Sequence, residues 1–120
     1  MTEQKNNLIV EKSYAFALRI VGLYKFLAED KKEFVMSKQV LRSGTSIGAN
    51  VEEAVGAQSK KDFLAKMWIA YKETRETRFW LKLLRDSKYI TKQQSESLLD
   101  DCEEIAKIIG KIISTTKKSL

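Results

Sequence analysis

Five cations recur at helical spacing in one stretch of this chain: Lys72, Arg75, Arg78, Lys82 and Arg85, stepping 3, 3, 4 and 3. With Lys60 and Lys61 upstream they suit contacts to a polyanion backbone, because lysine and arginine that neutralise phosphates release condensed counterions. The steps sweep round a helix, so the cations need not share a face. The plainer reading is a solvated face with local ion pairs, such as Glu76 with Arg78 or Lys82. The pattern shows no aromatic platform of the kind that stacks unpaired bases, so any binding is expected to be backbone-directed and weakly sequence-selective.

A second set mixes charge with apolar surface. Arg42, Ser46, Asn50 and Glu53 step 4, 4 and 3, and Glu73 and Glu76 lie in line with Ile69, Trp80 and Leu83. A carboxylate on an apolar strip either pairs or stays solvated, since burying it alone is expensive. Arg42 and Asn50 meeting Glu73 or Glu76, within or between subunits, would fix register; two solvated faces are the alternative.

Catalytic chemistry is poorly supplied. The chain has no histidine, the commonest general base at neutral pH and a frequent transition-metal ligand. A di-iron bundle needs Glu-x-x-His twice, and Glu73-x-x-Glu76 is the nearest string. Gly44 and Gly48 have the wrong spacing for a phosphate-cradling loop. Cys102, the one cysteine, has no histidine to activate it and lies on an apolar stripe, so it reads as a small buried hydrophobe. An enzyme, a metal centre and a cofactor are not expected.

The elements that must position these residues are helices. Proline is absent from 120 residues, which favours long uninterrupted helices. The first is expected over about 8–31, with the seam Val10, Ser13, Ala17, Ile20, Tyr24 and Leu27, flanked by Phe16, Val21 and Leu23. The second, about 37–58, has Val40, Gly44, Ile47, Val51 and Ala54; two glycines four apart imply close approach of a neighbouring backbone or a kink. The third, about 60–87, follows Ser59 as N-cap with Asp62 at N3, and its seam is Phe63, Met67, Ala70, Thr74, Thr77, Leu81 and Leu84. The fourth, about 92–117, is capped by Thr91 with Gln94 at N3, and carries Leu98, Cys102, Ile105, Ile109 and Ile112. Matched lengths and short connections predict a single all-α domain over 1–120, an antiparallel up-down-up-down four-helix bundle.

Trp68, Ile69, Phe79, Trp80 and Leu83 fall outside the third seam. Two tryptophans and a phenylalanine off the core stripe predict a second surface to cover, hence an oligomer. The net charge of +6, with 43% hydrophobic and 32% charged residues, fits a soluble helical protein. Met1–Asn7 does not read as a signal peptide and Ala15–Ala28 is interrupted by Arg19 and Lys25, so neither secretion nor a membrane partner is expected and the cytoplasm is the expected location.

The run from Gln39 to Ala54, QVLRSGTSIGANVEEA, resembles the signature of the four-helix-bundle proteins of 23S ribosomal RNA intervening sequences. That signature has a glutamine and an arginine, then Ser-Ile, then asparagine with glutamate three residues on. The likeness continues through Ser59–Leu64, Ile69-Ala70, Glu73–Thr77, Trp80-Leu81 and Tyr89-Ile90, and spans about Ser13 to Ile113. Two positions depart from it. Ala54 stands where many members have glycine, so the second helix is expected to run further, and Lys88 stands where glycine often closes the third, which puts a glycine-type C-cap in question. The resemblance implies bacterial origin and a homopentamer. The family takes its name from genes carried in ribosomal RNA insertions. A relative, the accessory protein of diversity-generating retroelements, looks like the same basic pentamer and binds nucleic acid and a reverse transcriptase. Five copies, each +6, would carry +30. Two functions compete: an RNA- or DNA-associating oligomer, and a scaffold that presents its rim to another protein.

Overall fold

The computed structural model describes residues 3–120. Four helices occupy almost all of it: α1 Glu3–Glu29, α2 Met36–Val55, α3 Lys60–Asp86 and α4 Lys92–Lys118. They form an all-α bundle of 47 × 21 × 19 Å. Each helix packs on its sequence neighbours, and α4 closes on α1, with the buried side chains of all four helices in one core. Among the described residues no helix is long and apolar enough to cross a membrane.

Heptad-like spacing creates the core. The α2 positions Val40, Gly44, Ile47, Val51 and Ala54 are all buried, as are Leu98, Cys102, Ile105, Ile109 and Ile112 of α4. On α3, Leu64 is buried and Phe63 only half-buried, with Met67 through Leu84 as the spacing predicts. The α1 seam is rotated from the expected one. Ile9, Ser13, Phe16, Ile20, Leu23 and Leu27 point inward, while Val10, Ala17 and Tyr24 sit on the shoulder. Both sets repeat at 3 and 4, but Phe16 and Leu23 bury more apolar area than alanine and the polar-tipped tyrosine.

The glycines of α2 mark close approach. A Cβ on Gly44 would lie 2.8 Å from Ile20 Cγ1 and Cγ2, and one on Gly48 would lie 3.4 Å from the carbonyl oxygen of Ser13. On the other side of α2, the Thr77 hydroxyl is 2.9 Å from that of Ser43 and donates to the Glu73 carbonyl at 2.8 Å, so this buried polar pair is satisfied.

Caps set the ends. The Glu33 carboxylate accepts from the backbone N–H groups of Val35, Met36 and Ser37, at 3.2, 3.1 and 2.7 Å, three of the donors that the start of α2 leaves without an intrahelical partner. Ser59 accepts from the Asp62 N–H, and Thr91 forms a reciprocal capping box with Gln94. Despite Ala54, α2 does not run on: it stops at Val55, with Gly56 as C-cap. Glycine loses the most backbone freedom in a helix, which favours the stop there.

Lys88 takes up the glycine conformation, with φ 75°. Its N–H reaches the Arg85 carbonyl at 3.1 Å, and Tyr89 N–H reaches the Leu84 carbonyl at 2.9 Å. This is a complete Schellman closure built on lysine. A side chain in the left-handed region is strained by about 1 kcal/mol. We therefore expect Lys88→Gly to raise stability by about 1 kcal/mol in a denaturant titration; an unchanged or lowered midpoint would refute the strain.

Candidate nucleic-acid and assembly interface

The mixed polar set lies along the edge between α2 and α3. The Arg42 guanidinium donates to Glu73 Oε2 at 3.4 Å and, at closer range, to Glu76 Oε2. The same Glu76 oxygen accepts the indole N–H of Trp80 at 3.0 Å. One cation thus ties two carboxylates, and one carboxylate anchors a tryptophan. The Trp80 hydrogen bond and then the guanidinium hold the Glu76 carboxyl below its ordinary range, against the opposing effect of burial; Arg42 is raised in turn, mainly by Glu76. Asn50 does not reach either glutamate, because its amide donates to the Ser46 carbonyl at 2.8 Å. Ser46 donates to the Arg42 carbonyl at 2.6 Å, and Glu53 pairs with Lys66 at 3.0 Å.

The five side chains off the α3 seam divide into two groups. Trp80 is half-buried against the core. Phe79, 56% exposed, leans edge-on against its ring, with centroids 5.1 Å apart. Ile69 at 41% and Leu83 at 39% exposure continue this strip on the side nearer α2. Trp68, 44% exposed, turns the other way and meets Tyr71 edge-on at 5.8 Å beside α4.

The basic set divides as well. Arg78 pairs with Glu103 of α4 at 3.2 Å, Arg85 with Asp86 at 2.7 Å, and Lys60 donates to the Ser119 carbonyl at 3.0 Å. The local pairs expected of Glu76 do not form, since Arg42 takes that carboxylate. Lys61, Lys72, Arg75 and Lys82 stand exposed, with no carboxylate in salt-bridge range among the described residues. Sequence spacing missed Tyr71, Lys107, Gly110, Lys117 and Lys118, which line the cleft between α3 and α4 beside Trp68. The signal lay in the pairing of two helices, which periodicity within one helix does not carry.

Burial pushes the Cys102 thiol up to about 12, far from a nucleophile's range at neutral pH. Among the described residues no group of His, Cys, Asp or Glu could hold a metal ion.

Helix count, packing order and buried seams define a four-helix bundle with a mixed apolar and basic outer face on α3. The family described as 23S rRNA-intervening sequence protein matches residues 5–111, and the chain belongs to that family. It is similar to a crystal structure of a protein of unknown function from the S23 ribosomal protein family of Bacteroides thetaiotaomicron VPI-5482. That likeness has 56% identity and a TM-score of 0.91, covering 92% of this chain and 98% of the other. The search of curated proteins gives no match.

The Arg42–Glu76–Trp80 tie has a pH signature. A carboxyl depressed in the folded state contributes stability above its unfolded pKa and loses it as pH falls through the lower folded value. Glu76→Gln keeps an acceptor for the indole but removes the charge. Because Arg42 and Glu76 are substantially solvated, the expected loss at pH 7 is about 0.5–1 kcal/mol. In thermal melts the gap between the two proteins should close as pH falls through the acidic range. A gap of zero at neutral pH, or one constant with pH, would discard the tie as a charge interaction.

Proposed function

We propose that the protein is a non-catalytic, basic homo-oligomer of the cytoplasm that associates with RNA or DNA, with five up-down-up-down bundles in the assembly. The observation that carries this reading is the outward side of α3. There Ile69, Phe79 and Leu83 are exposed beside Lys72, Arg75 and Lys82, which have no carboxylate in salt-bridge range among the described residues. Exposed apolar side chains in a strip favour a protein contact, and cations free of carboxylates favour a polyanion.

The antiparallel arrangement draws support from the residue pairs that bridge the helices. Ser13 lies beside Gly48 and Ile20 beside Gly44. Arg42 meets Glu76 while Glu53 meets Lys66. Lys12 meets Glu104 and Arg19 meets Asp101. In each case one number rises as the other falls. The count of five rests on the family resemblance and the charge on the +6 of each copy. The absence of histidine and the inert, buried Cys102 support a non-catalytic role.

Backbone-directed binding by an assembly of this charge must weaken steeply with salt. In an electrophoretic shift with RNA and with DNA, the protein should retard both at about 50 mM salt and neither at about 500 mM. No shift at the lower salt from the assembled protein would overturn nucleic-acid association and leave the scaffold role.

A further inference from the structure

The cleft between α3 and α4 combines three features in one concave site. Its larger basin holds about 480 Å³ and is floored by Trp68, Tyr71, Gly110 and Ile113, with Lys117 and Lys118 at the rim. An adjoining basin of about 320 Å³ shares Tyr71 and Gly110 and adds Arg75, Arg78 and Lys107. The first feature is aromatic: Tyr71 abuts Trp68 at 85°, so the indole is propped edge-on while 44% of Trp68 stays open to solvent.

The second feature is charge. Five cations line the two basins against one carboxylate, Glu103, which Arg78 already engages at 3.2 Å. The third is room. A Cβ built on Gly110 would meet nothing within 4 Å, so packing within this bundle does not require glycine there. Its effect is to keep the floor of the cleft open, where a side chain would fill it.

We infer that this cleft is a track for single-stranded nucleic acid, with an unpaired base stacked on Trp68 and the adjoining phosphates against Lys117, Lys118, Arg75 and Lys107. The inference rests on the nucleic-acid association proposed above and gives it a place and a strand preference. Every base has a π face, so an indole in a cationic groove binds single strands with little regard to sequence. A base held in a duplex is stacked on its neighbours and does not reach a ring in a cleft between two helices. The excess of cations favours phosphates over an apolar helix of another protein. Trp68 leans on Tyr71 toward α4 and Phe79 on Trp80 toward α2, so the inference requires that self-association through Ile69, Phe79 and Leu83 leave Trp68 uncovered.

The test is fluorescence anisotropy with labelled oligo(dT) of about 12 nucleotides and a duplex of equal length, at low salt, using the assembled full chain. Trp68→Ala should weaken oligo(dT) binding about tenfold and leave the duplex almost unaffected. Gly110→Leu, which places bulk in open space and favours helix, should do the same with the helical circular dichroism retained. If both variants bind oligo(dT) like the parent protein, the cleft is not the track, while nucleic-acid association stands. If the parent protein binds neither probe, both readings fall. If Trp68 is shielded from acrylamide in the assembly before any nucleic acid is added, a second copy occupies the cleft and the inference is overturned.

Discussion

Leu81 and Leu84 of α3 are fully buried, and Phe79 and Leu83, interleaved with them, stand out on the opposite side. A helix surrounded by the core of one bundle would carry polar residues at 79 and 83. Apolar area left in water gives up about 25 cal/mol for every Å² that a partner could cover. This surplus on α3 is the constraint to which the surrounding structure responds. Arg42, Glu76 and Trp80 draw one aromatic side chain inward along the α2 edge, and Tyr71 holds Trp68 at the α4 edge. Between the two edges the remaining apolar side chains stand exposed beside Lys72, Arg75 and Lys82.

That division of labour needs a rigid helix beneath it. Close approach at Gly44 and Gly48 locks α1 onto α2 with little space for adjustment, and the Ser43–Thr77 hydroxyl pair ties α2 to α3 inside the core. The seam between α1 and α4 depends more on charge, through Lys12–Glu104 at 2.8 Å and Arg19–Asp101 at 2.5 Å. Such exposed pairs are each worth only about 0.2–1 kcal/mol, so cohesion comes chiefly from the buried seams.

The helices and three of the four seams were legible in the sequence, because apolar spacing of 3 and 4 is a property of one segment at a time. In α1 two such frames were available, and side-chain size decided for Phe16 and Leu23. Arg42 meeting Glu73 and Glu76 was among the arrangements that spacing allowed; Asn50 bonded within its own helix because the Ser46 carbonyl lies one turn back. Glu33 lies in the connection after α1 and caps α2, a role that spacing within one helix does not carry, since a cap depends on the path of the connection. Lys88 sits where glycine is easiest, and the other backbone bonds of the Schellman closure hold it there. The α3–α4 cleft was the least legible part, since Trp68 and Tyr71 come from one helix and Gly110, Lys117 and Lys118 from the next.

The central claim is that copies of this chain cover one another at Ile69, Phe79 and Leu83. Sedimentation equilibrium at micromolar concentration measures this directly, comparing the parent protein with a Phe79→Asp/Leu83→Asp double variant. The parent should sediment at a mass several times the 13.8 kDa of one chain, and the double variant, still folded, at the single-chain mass. A parent protein that sediments at 13.8 kDa, with Phe79 and Leu83 facing water, would contradict it.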